Sequence, residues 1–294
     1  RGNYAAAIHG TVIADSCEFV GGPRYHVFSS TGTRLTNCQF RDNSEHAFLG
    51  ITGTGIVIRS CIFSQATITD WNALELSHFN GIIADNLFAD LHFGYAPILL
   101  QPVCSEPCVV SGNVFRNLNR IWGSGVAAPL YMSCWPDSIG DGYVIRDNVF
   151  IDCSSYSFGA KAVFFDGGAT LTRNRFFSNS QDIPAAMVGD GAEASPIEGN
   201  LFYDNGLAAT AWTGSLDARW NWWGHETGPY HPTLNPDGLG DEVGDNVLFD
   251  PWYPDTSFLT VDESDYLLPK SFSLSVYPNP FNAQCRMRIE TPEP

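Results

Sequence analysis

A three-residue motif recurs along most of the chain: a small polar residue, any residue, and then an aromatic residue. The aromatic residues of its nine copies are Phe19, Phe40, Phe63, Phe88, Phe115, Phe150, Phe176, Phe202 and Trp223. Successive copies are 21 to 35 residues apart, a period typical of solenoids. Strand formers alternate around the motif, as in residues 55–58, and helical patterns are hard to find. The motif predicts an all-β fold, a right-handed parallel β-helix of about nine coils.

Equivalent residues of successive coils stack on one another in a β-helix, so each position of the motif defines a column. Inward aromatic rings are expected to stack and fill the core. Inward asparagines can hydrogen-bond the asparagine of the next coil, which offsets the cost of burying a polar group. We therefore interpret the asparagines as a structural ladder and not as a functional site. Its members are Asn86, Asn113, Asn148, Asn174 and Asn200, and the ninth copy adds Asn221.

Six of the eight cysteines fall into two groups. The first three copies of the motif carry Cys17, Cys38 and Cys61 in place of asparagine. Stacked side chains of neighbouring coils are too far apart for good disulfide geometry, so free, buried thiols are expected at these positions. The second group comprises Cys104, Cys108 and Cys134. A loop disulfide within it is plausible in an exported protein, and a zinc site is the weaker alternative because further ligands are missing.

Two insertions, at about residues 92–110 and 119–143, fall on consecutive coils. Long loops on a rigid scaffold often carry function. Their aromatic residues can be interpreted as sugar-stacking residues or as a satellite core beneath the loops, and both interpretations stay open. The candidates for carbohydrate binding are Trp122, Tyr131 and Trp135.

An acidic, glycine-rich loop follows the last copy of the motif, at residues 237–245. Clustered carboxylates and backbone carbonyls can bind calcium, and Asp237, Asp241 and Asp245 are the candidate ligands. The register of an EF-hand is absent, so a solvated loop is the alternative interpretation. No other cofactor is expected.

Two segments resemble those of known bacterial families. The repeat resembles the pectate-lyase-like β-helix superfamily across about residues 5–255, which implies a fold more than a function. Within it, the sequence WNWWGHETGP at residues 220–229 resembles the segment after the last coil of many bacterial extracellular β-helix proteins. Its bulky aromatic residues are expected to cover the open end of the core.

The end of the chain resembles a secretion signal. Residues 256–270 are interpreted as a linker, and residues 271–294 contain the sequence YPNPFN. This sequence resembles the opening of the C-terminal sorting domain of the type IX secretion system, of which only the first strands would be included. The resemblance implies an extracellular or outer-surface location in a Gram-negative-type bacterium.

The charge balance limits the classes of partner. The chain has 15 basic and 32 acidic residues, a net charge of −17. Nucleic-acid binding requires a basic face and is not expected. No apolar run approaches the length of a membrane span. The partners that remain are a cell-surface glycan or another copy of the chain.

Catalytic residues are not evident. β-Helix hydrolases use clustered aspartates on adjacent coils, but Asp42, Asp90, Asp152 and Asp204, two residues after a motif phenylalanine, never fall on neighbouring coils. Lys161 and Asp166 share one strand region without an evident second carboxylate, and Arg146, Arg173 and Arg175 could line a groove for an acidic sugar. The favoured interpretation is a non-catalytic surface protein, either adhesive, structural or self-assembling. The alternative is a polysaccharide lyase or glycoside hydrolase.

Overall fold

The computed structural model describes residues 8–21, 27–42, 48–68, 74–93, 98–102, 108–120, 128–133, 143–154, 162–166, 169–179, 185–190, 197–259, 273–277 and 286–290. Regular structure within them is β-strand, apart from a short 3-10 helix at Ser257–Leu259. The chain divides into two compact units, Arg1–Asp255 and Thr256–Pro294.

The first unit is a parallel β-helix, as the motif predicts. Coils 1 to 3 contain β1 (Ile8–Gly10), β2 (Ile13–Asp15), β3 (Glu18–Val20), β4 (Val27–Ser29), β5 (Arg34–Thr36), β6 (Gln39–Arg41), β7 (Leu49–Thr52), β8 (Ile56–Arg59) and β9 (Ile62–Ile68). Coils 4 to 6 contain β10 (Leu74–Phe79), β11 (Gly81–Ala84), β12 (Leu87–Phe93), β13 (Ile98–Pro102), β14 (Cys108–Ser111), β15 (Val114–Arg120), β16 (Leu130–Ser133), β17 (Tyr143–Arg146) and β18 (Val149–Ile151).

The later coils continue the same order of strands and end in a cap. Coils 7 and 8 contain β19 (Val163–Asp166), β20 (Ala169–Thr172), β21 (Arg175–Phe177), β22 (Met187–Asp190), β23 (Ile197–Glu198) and β24 (Leu201–Tyr203). Coil 9 and the cap contain β25 (Leu207–Thr213), β26 (Leu216–Asp217), β27 (Pro229–Tyr230), β28 (Gly240–Val243) and β29 (Val247–Leu248). The second unit contains β30 (Ser273–Tyr277) and β31 (Arg286–Glu290), an antiparallel pair.

Each of coils 1 to 8 gives one strand to each of three sheets, which we call sheets A, B and C in chain order. Sheet A has the order β1-β4-β7-β10-β13-β16-β19-β22-β25-β28-β27, sheet B runs from β2 to β23, and sheet C runs from β3 to β24. Neighbouring strands in all three sheets are parallel. Successive coils therefore lie one strand spacing apart, about 4.8 Å.

A left-handed residue forms the corner between sheets B and C in every coil. The corner residues have positive φ and are Ser16, Asn37, Ser60, Asp85, Gly112, Asp147, Arg173, Gly199 and Trp220. Left-handed backbone turns the chain within two residues, so the next side chain points inward at the start of sheet C. That next position is the cysteine or asparagine of the motif.

A second left-handed corner lies two residues after the motif phenylalanine and explains the spaced aspartates. Asp42, Asp90, Asp152 and Asp204 have φ between 51° and 62° at this corner, on coils 2, 4, 6 and 8. The corner directly follows the short strands of sheet C and lies inside the long strand β12. Aspartate tolerates this conformation better than most residues do. These four aspartates are turn residues, and their separation on alternate coils agrees with the prediction.

The aromatic residues form one continuous column in the core. Consecutive rings from Phe19 to Phe202 are stacked with centroids 4.6 to 5.0 Å apart, and Trp223 ends the column 4.8 Å from Phe202. Every ring from Phe40 to Trp223 in the column is fully buried, whereas Phe19 on coil 1 is partly exposed.

The asparagine ladder has the predicted form. Each side-chain Nδ2 of Asn86, Asn113, Asn148, Asn174 and Asn200 donates to the Oδ1 of the next asparagine, at 2.9 to 3.0 Å. Each Nδ2 also donates to a backbone carbonyl of the coil before, as from Asn148 to Val110 at 2.9 Å. Every amide in the column thus has both its donor and its acceptor satisfied inside the protein.

The cysteine predictions are confirmed in part. Cys38 and Cys61 are free and buried in the ladder column, but Cys17 is exposed, because β2 and β3 on coil 1 are the end strands of their sheets. Cys108 is a free thiol, fully buried on β14 and facing the core. The predicted loop disulfide therefore does not involve Cys108, and a pairing of Cys104 with Cys134 stays a prediction because both lie outside the described residues.

The cap is an aromatic and glycine-rich segment that extends the core beyond coil 9. Trp223, Val243, Val247 and Phe249 are buried in the same cluster as the β-helix core. Trp252 donates from Nε1 to the carbonyl of Glu226 at 3.1 Å, and its ring leaves no space for a side chain at position 228. The prediction that this segment covers the end of the core agrees with these contacts.

Candidate functional site

The outer face of sheet C carries an unusual number of apolar side chains. Because residues alternate along a strand, the neighbours of each inward phenylalanine face outward. Directly before the phenylalanine, the outward column of coils 3 to 6 is aliphatic and consists of Ile62, Leu87, Val114 and Val149. The column continues through Arg175, Leu201 and Trp222 on coils 7 to 9.

Aromatic residues dominate this face at its cap end. Phe177 and Tyr203 are register partners on β21 and β24, and the side chain of Tyr203 is 55% exposed. The Tyr203 ring reaches toward the next coil, since its Cδ2 lies 3.7 Å from the point where a Cβ on Gly224 would sit. The outward Leu201, two residues before Tyr203, is only 8% exposed, so neighbouring side chains cover it. An exposed aromatic ring and a covered leucine thus lie on the same outward face of sheet C.

The B–C corner of coil 9 adds a further exposed ring. Trp220 is the left-handed corner residue, 46% exposed, and its ring centroid is 5.7 Å from that of Tyr253 in a tilted arrangement. Two residues later Trp222 faces outward, because the adjacent Trp223 is stacked in the core. We call the set Phe177, Tyr203, Trp220 and Trp222 the aromatic platform.

Ion pairs border the platform along the B–C corner. Asp147 accepts from Arg173 Nε at 2.7 Å and Nη2 at 2.9 Å, and from Arg146 Nη1 at 2.9 Å. Asp217 accepts from Arg219 Nε at 2.8 Å and Nη2 at 2.6 Å, and these bonds hold the pKa of Asp217 below its ordinary value. Two members of the predicted arginine cluster therefore share one carboxylate, and the third, Arg175, lies on the outer face of sheet C.

At the opposite edge of the platform, the C–A corner carries polar side chains. The Ser178 hydroxyl donates to Asp204 Oδ2 at 3.2 Å. The platform is thus an aromatic surface with polar side chains along two edges, a combination that suits a ligand with an apolar face and hydroxyl groups at its rim.

The predicted loop residues are not part of this surface. Trp122 and Trp135 lie outside the described residues, so their assignment as sugar-contacting residues stays a prediction. Tyr131 lies on β16 of sheet A, where its ring stacks on Phe164 with centroids 5.1 Å apart, next to Val188. This packing corresponds to the satellite core that was the alternative interpretation of the loop aromatic residues.

The three candidate calcium ligands are not brought together. Asp237 and Asp245 are exposed, whereas Asp241 Oδ2 accepts from Asn205 N at 3.0 Å and from Asn205 Nδ2 at 2.7 Å. Among the described residues, no group of three or more histidine, cysteine or acidic side chains is placed to hold a metal ion. Asp241 serves the fold, and burial raises the pKa of its carboxyl group to about 6.

A buried histidine near Asp245 is also committed to the cap. His231 Nδ1 accepts from the backbone nitrogens of Thr233 at 3.2 Å and Leu234 at 3.1 Å. A ring nitrogen that accepts two such bonds carries no hydrogen, so the hydrogen resides on Nε2, which lies 3.5 Å from Asp245 Oδ1. In this tautomer Nε2 is a donor and not a metal ligand.

A pair of aspartate positions on sheet A was missed by the sequence analysis. Asp166 ends β19 and Asp190 ends β22, and each directly follows the last residue pair of these strands, Phe165 and Gly189. The register therefore puts two acidic residues at equivalent strand positions on neighbouring coils. The motif spacing could not show this, because the lengths of the connections before sheet A vary from coil to coil.

Comparisons with known proteins give no family assignment: no family model, curated protein or solved structure matches the chain. Within the described residues, no helix is both long and apolar enough to span a membrane.

Proposed function

We propose that this protein is a non-catalytic, cell-surface or secreted β-helix protein that binds carbohydrate through the aromatic platform. The exposure of Tyr203 on the outer face of sheet C and of Trp220 at the adjoining B–C corner supports this proposal most directly. Single exposed apolar residues are common, but here four aromatic residues fall on three adjacent coils, and clusters of exposed apolar residues often mark binding sites. The faces of sugar rings are apolar and stack on aromatic side chains.

The surface location rests on the resemblance of two segments. The WNWWGHETGP segment and the YPNPFN segment at residues 277–282 are similar to those of exported bacterial proteins. An acidic protein with few lysines is also typical of a solvent-facing surface component. Both observations support an extracellular or outer-surface protein, and neither depends on the platform.

Affinity electrophoresis in gels that contain different polysaccharides tests the binding function. We expect at least one polysaccharide to retard the protein without release of new reducing ends. Tyr203→Ala should weaken the retardation, whereas Tyr230→Ala, which removes a 39% exposed ring on the cap, should not. Absence of retardation in every gel, or equal behaviour of the two variants, would contradict the proposal.

A second candidate function, polysaccharide hydrolysis, is favoured by the register of Asp166 and Asp190. Most glycosidases use a pair of carboxyl groups, and Asp166 and Asp190 end neighbouring parallel strands of sheet A. A reducing-end assay with the same polysaccharides tests it. Activity that Asp190→Asn abolishes, while affinity electrophoresis is unchanged, would favour hydrolysis over simple binding.

A further inference from the structure

We infer that the aromatic platform takes a neutral, β-1,4-linked glycan whose ring substituents are equatorial, and that the glycan chain runs along the axis of the β-helix. The inference rests on the proposed carbohydrate-binding function and specifies its ligand class. Three observations carry it: the outward direction of the platform rings, their repeat along the axis and the charge balance around them.

The direction of the platform rings favours a ligand with an apolar face. Phe177 and Tyr203 face outward from a regular parallel sheet, and the next residue in their column is Gly224, which has no side chain and lies beside the Tyr203 ring. A pyranose with equatorial substituents has C–H groups on both faces and presents a flat apolar surface. A sugar with several axial hydroxyl groups would direct polar groups at the rings and leave them without partners.

The repeat of the platform selects an extended chain. Phe177 and Tyr203 are equivalent residues of adjacent coils, and Leu201 and Trp222 are equivalent residues one column away. Coils are about 4.8 Å apart, close to the length of one residue in a β-1,4-linked chain. One sugar can therefore lie over each coil, whereas an α-linked helical chain would curve away after the first contact.

The charge balance of the platform selects a neutral ligand. On the described strands and corners of sheets B and C in coils 7 to 9, three basic and three acidic residues cancel. They are Arg173, Arg175, Arg219, Glu198, Asp204 and Asp217. Arg173 is paired with Asp147 and Arg219 with Asp217 along the rim. The rest of the chain is strongly acidic and repels an anionic polysaccharide. The balanced charges around the platform provide no attraction that would offset this repulsion.

Depletion isotherms of the full chain with cellulose, amylose and polygalacturonate test the ligand class. We expect binding to cellulose only, and binding that persists in about 1 M NaCl, where exposed charges are screened beyond about 3 Å. Tyr203→Ala and Trp222→Ala should each weaken the binding at least about tenfold, equivalent to 1.4 kcal/mol. Tyr230→Ala is the matched control and should bind as the unaltered protein does.

The possible outcomes separate this inference from the proposed function. Binding to polygalacturonate or amylose in preference to cellulose would overturn the inference while leaving carbohydrate binding intact. Cellulose binding that neither platform variant weakens would place the site elsewhere and overturn the inference as well. Binding to none of the three polymers would overturn the inference. If affinity electrophoresis with the other polysaccharides also showed no binding, the proposed function would be contradicted as well. Circular dichroism and thermal melts verify that the exposed-residue variants are folded.

Discussion

Two asparagine ladders flank the aromatic column, and they differ in length and in how they end. The first, at the B–C corner, joins six asparagines from Asn86 to Asn221. The second, at the C–A corner, is confined to the last coils, where Asn179 Nδ2 donates to Asn205 Oδ1 at 2.9 Å and Asn205 Nδ2 donates to Asp241 Oδ2 at 2.7 Å. At the same position coils 3 to 5 carry the apolar side chains Ala66, Leu91 and Leu118, and coil 6 carries Cys153, whose Sγ donates to the carbonyl of Phe115 at 3.7 Å.

The different ends of the ladders indicate different tasks. The first ladder ends within the β-helix, where Asn221 Nδ2 donates to the carbonyls of Ile197 and Ala218, both at 2.7 Å. The second ladder ends on a carboxylate of β28, so it ties the cap to the last coils. The backbone nitrogen of Asp241 also donates to the carbonyl of Trp223 at 2.7 Å, which links the cap to the aromatic column. The first ladder therefore stabilises the stack of coils, and the second attaches the cap to the last coils.

The largest effect on stability is expected from a substitution in the aromatic column, which lies between the two ladders. Phe115→Ala removes a fully buried ring stacked on Phe88 and Phe150 and should lower the free energy of unfolding by about 3–5 kcal/mol, because the neighbouring coils cannot close the cavity. Chemical denaturation measures the change, with exposed Tyr203→Ala as the control. If Phe115→Ala lowered the free energy of unfolding no more than Asn148→Ala does, the ladders and not the aromatic column would dominate stability.

The next largest effect should distinguish the two ladders from each other. Asn148 accepts two hydrogen bonds from Asn113 and donates from Nδ2 to three oxygens, so Asn148→Ala should cost about 1–3 kcal/mol. Asn179 accepts one bond, from the backbone of Cys153, and donates two, so Asn179→Ala should cost less. Denaturation midpoints compare the two variants with exposed Asn246→Ala. An equal or greater cost at Asn179 would show that the number of hydrogen bonds at a ladder asparagine does not set its contribution to stability.

The two ladders also show why the sequence predicts some features and not others. The first ladder and the aromatic column were predictable because Asn148 and Phe150 belong to one motif with fixed internal spacing. Only two residues of the second ladder, Asn179 and Asn205, are asparagines, and they follow corner residues of varied type, so no repeat reveals them. The platform had a signal: Phe177, Tyr203 and Trp222 each adjoin an inward aromatic residue, and strand alternation directs such neighbours outward. What alternation cannot supply is exposure, which depends on how the loops pack.

The smallest expected effect is a dependence of stability on pH, and it arises from Asp241 at the end of the second ladder. Burial raises the pKa of Asp241 to about 6 from an ordinary value of 3.8, and the nearby Asp204 charge raises it further, while the two bonds from Asn205 oppose the shift. The folded protein therefore binds a proton more readily than the unfolded chain does between these values. Stability should increase as the pH falls from about 6 toward 4, and this contribution should be absent at neutral pH.

Asp241→Asn isolates the effect, because the amide carries no proton to titrate and its Oδ1 can still accept both bonds from Asn205. The other carboxylates titrate alike in both proteins, so the difference between their free energies of unfolding reports Asp241 alone. Relative to the variant, the unaltered protein should gain stability between pH 7 and pH 4, by a modest amount because water reaches part of the carboxyl group and screens it. A difference that stays constant over this range would mean that Asp241 remains ionised at the end of the ladder. The second ladder would then hold the cap equally well at every pH, as the first ladder, made entirely of amides, holds the coils.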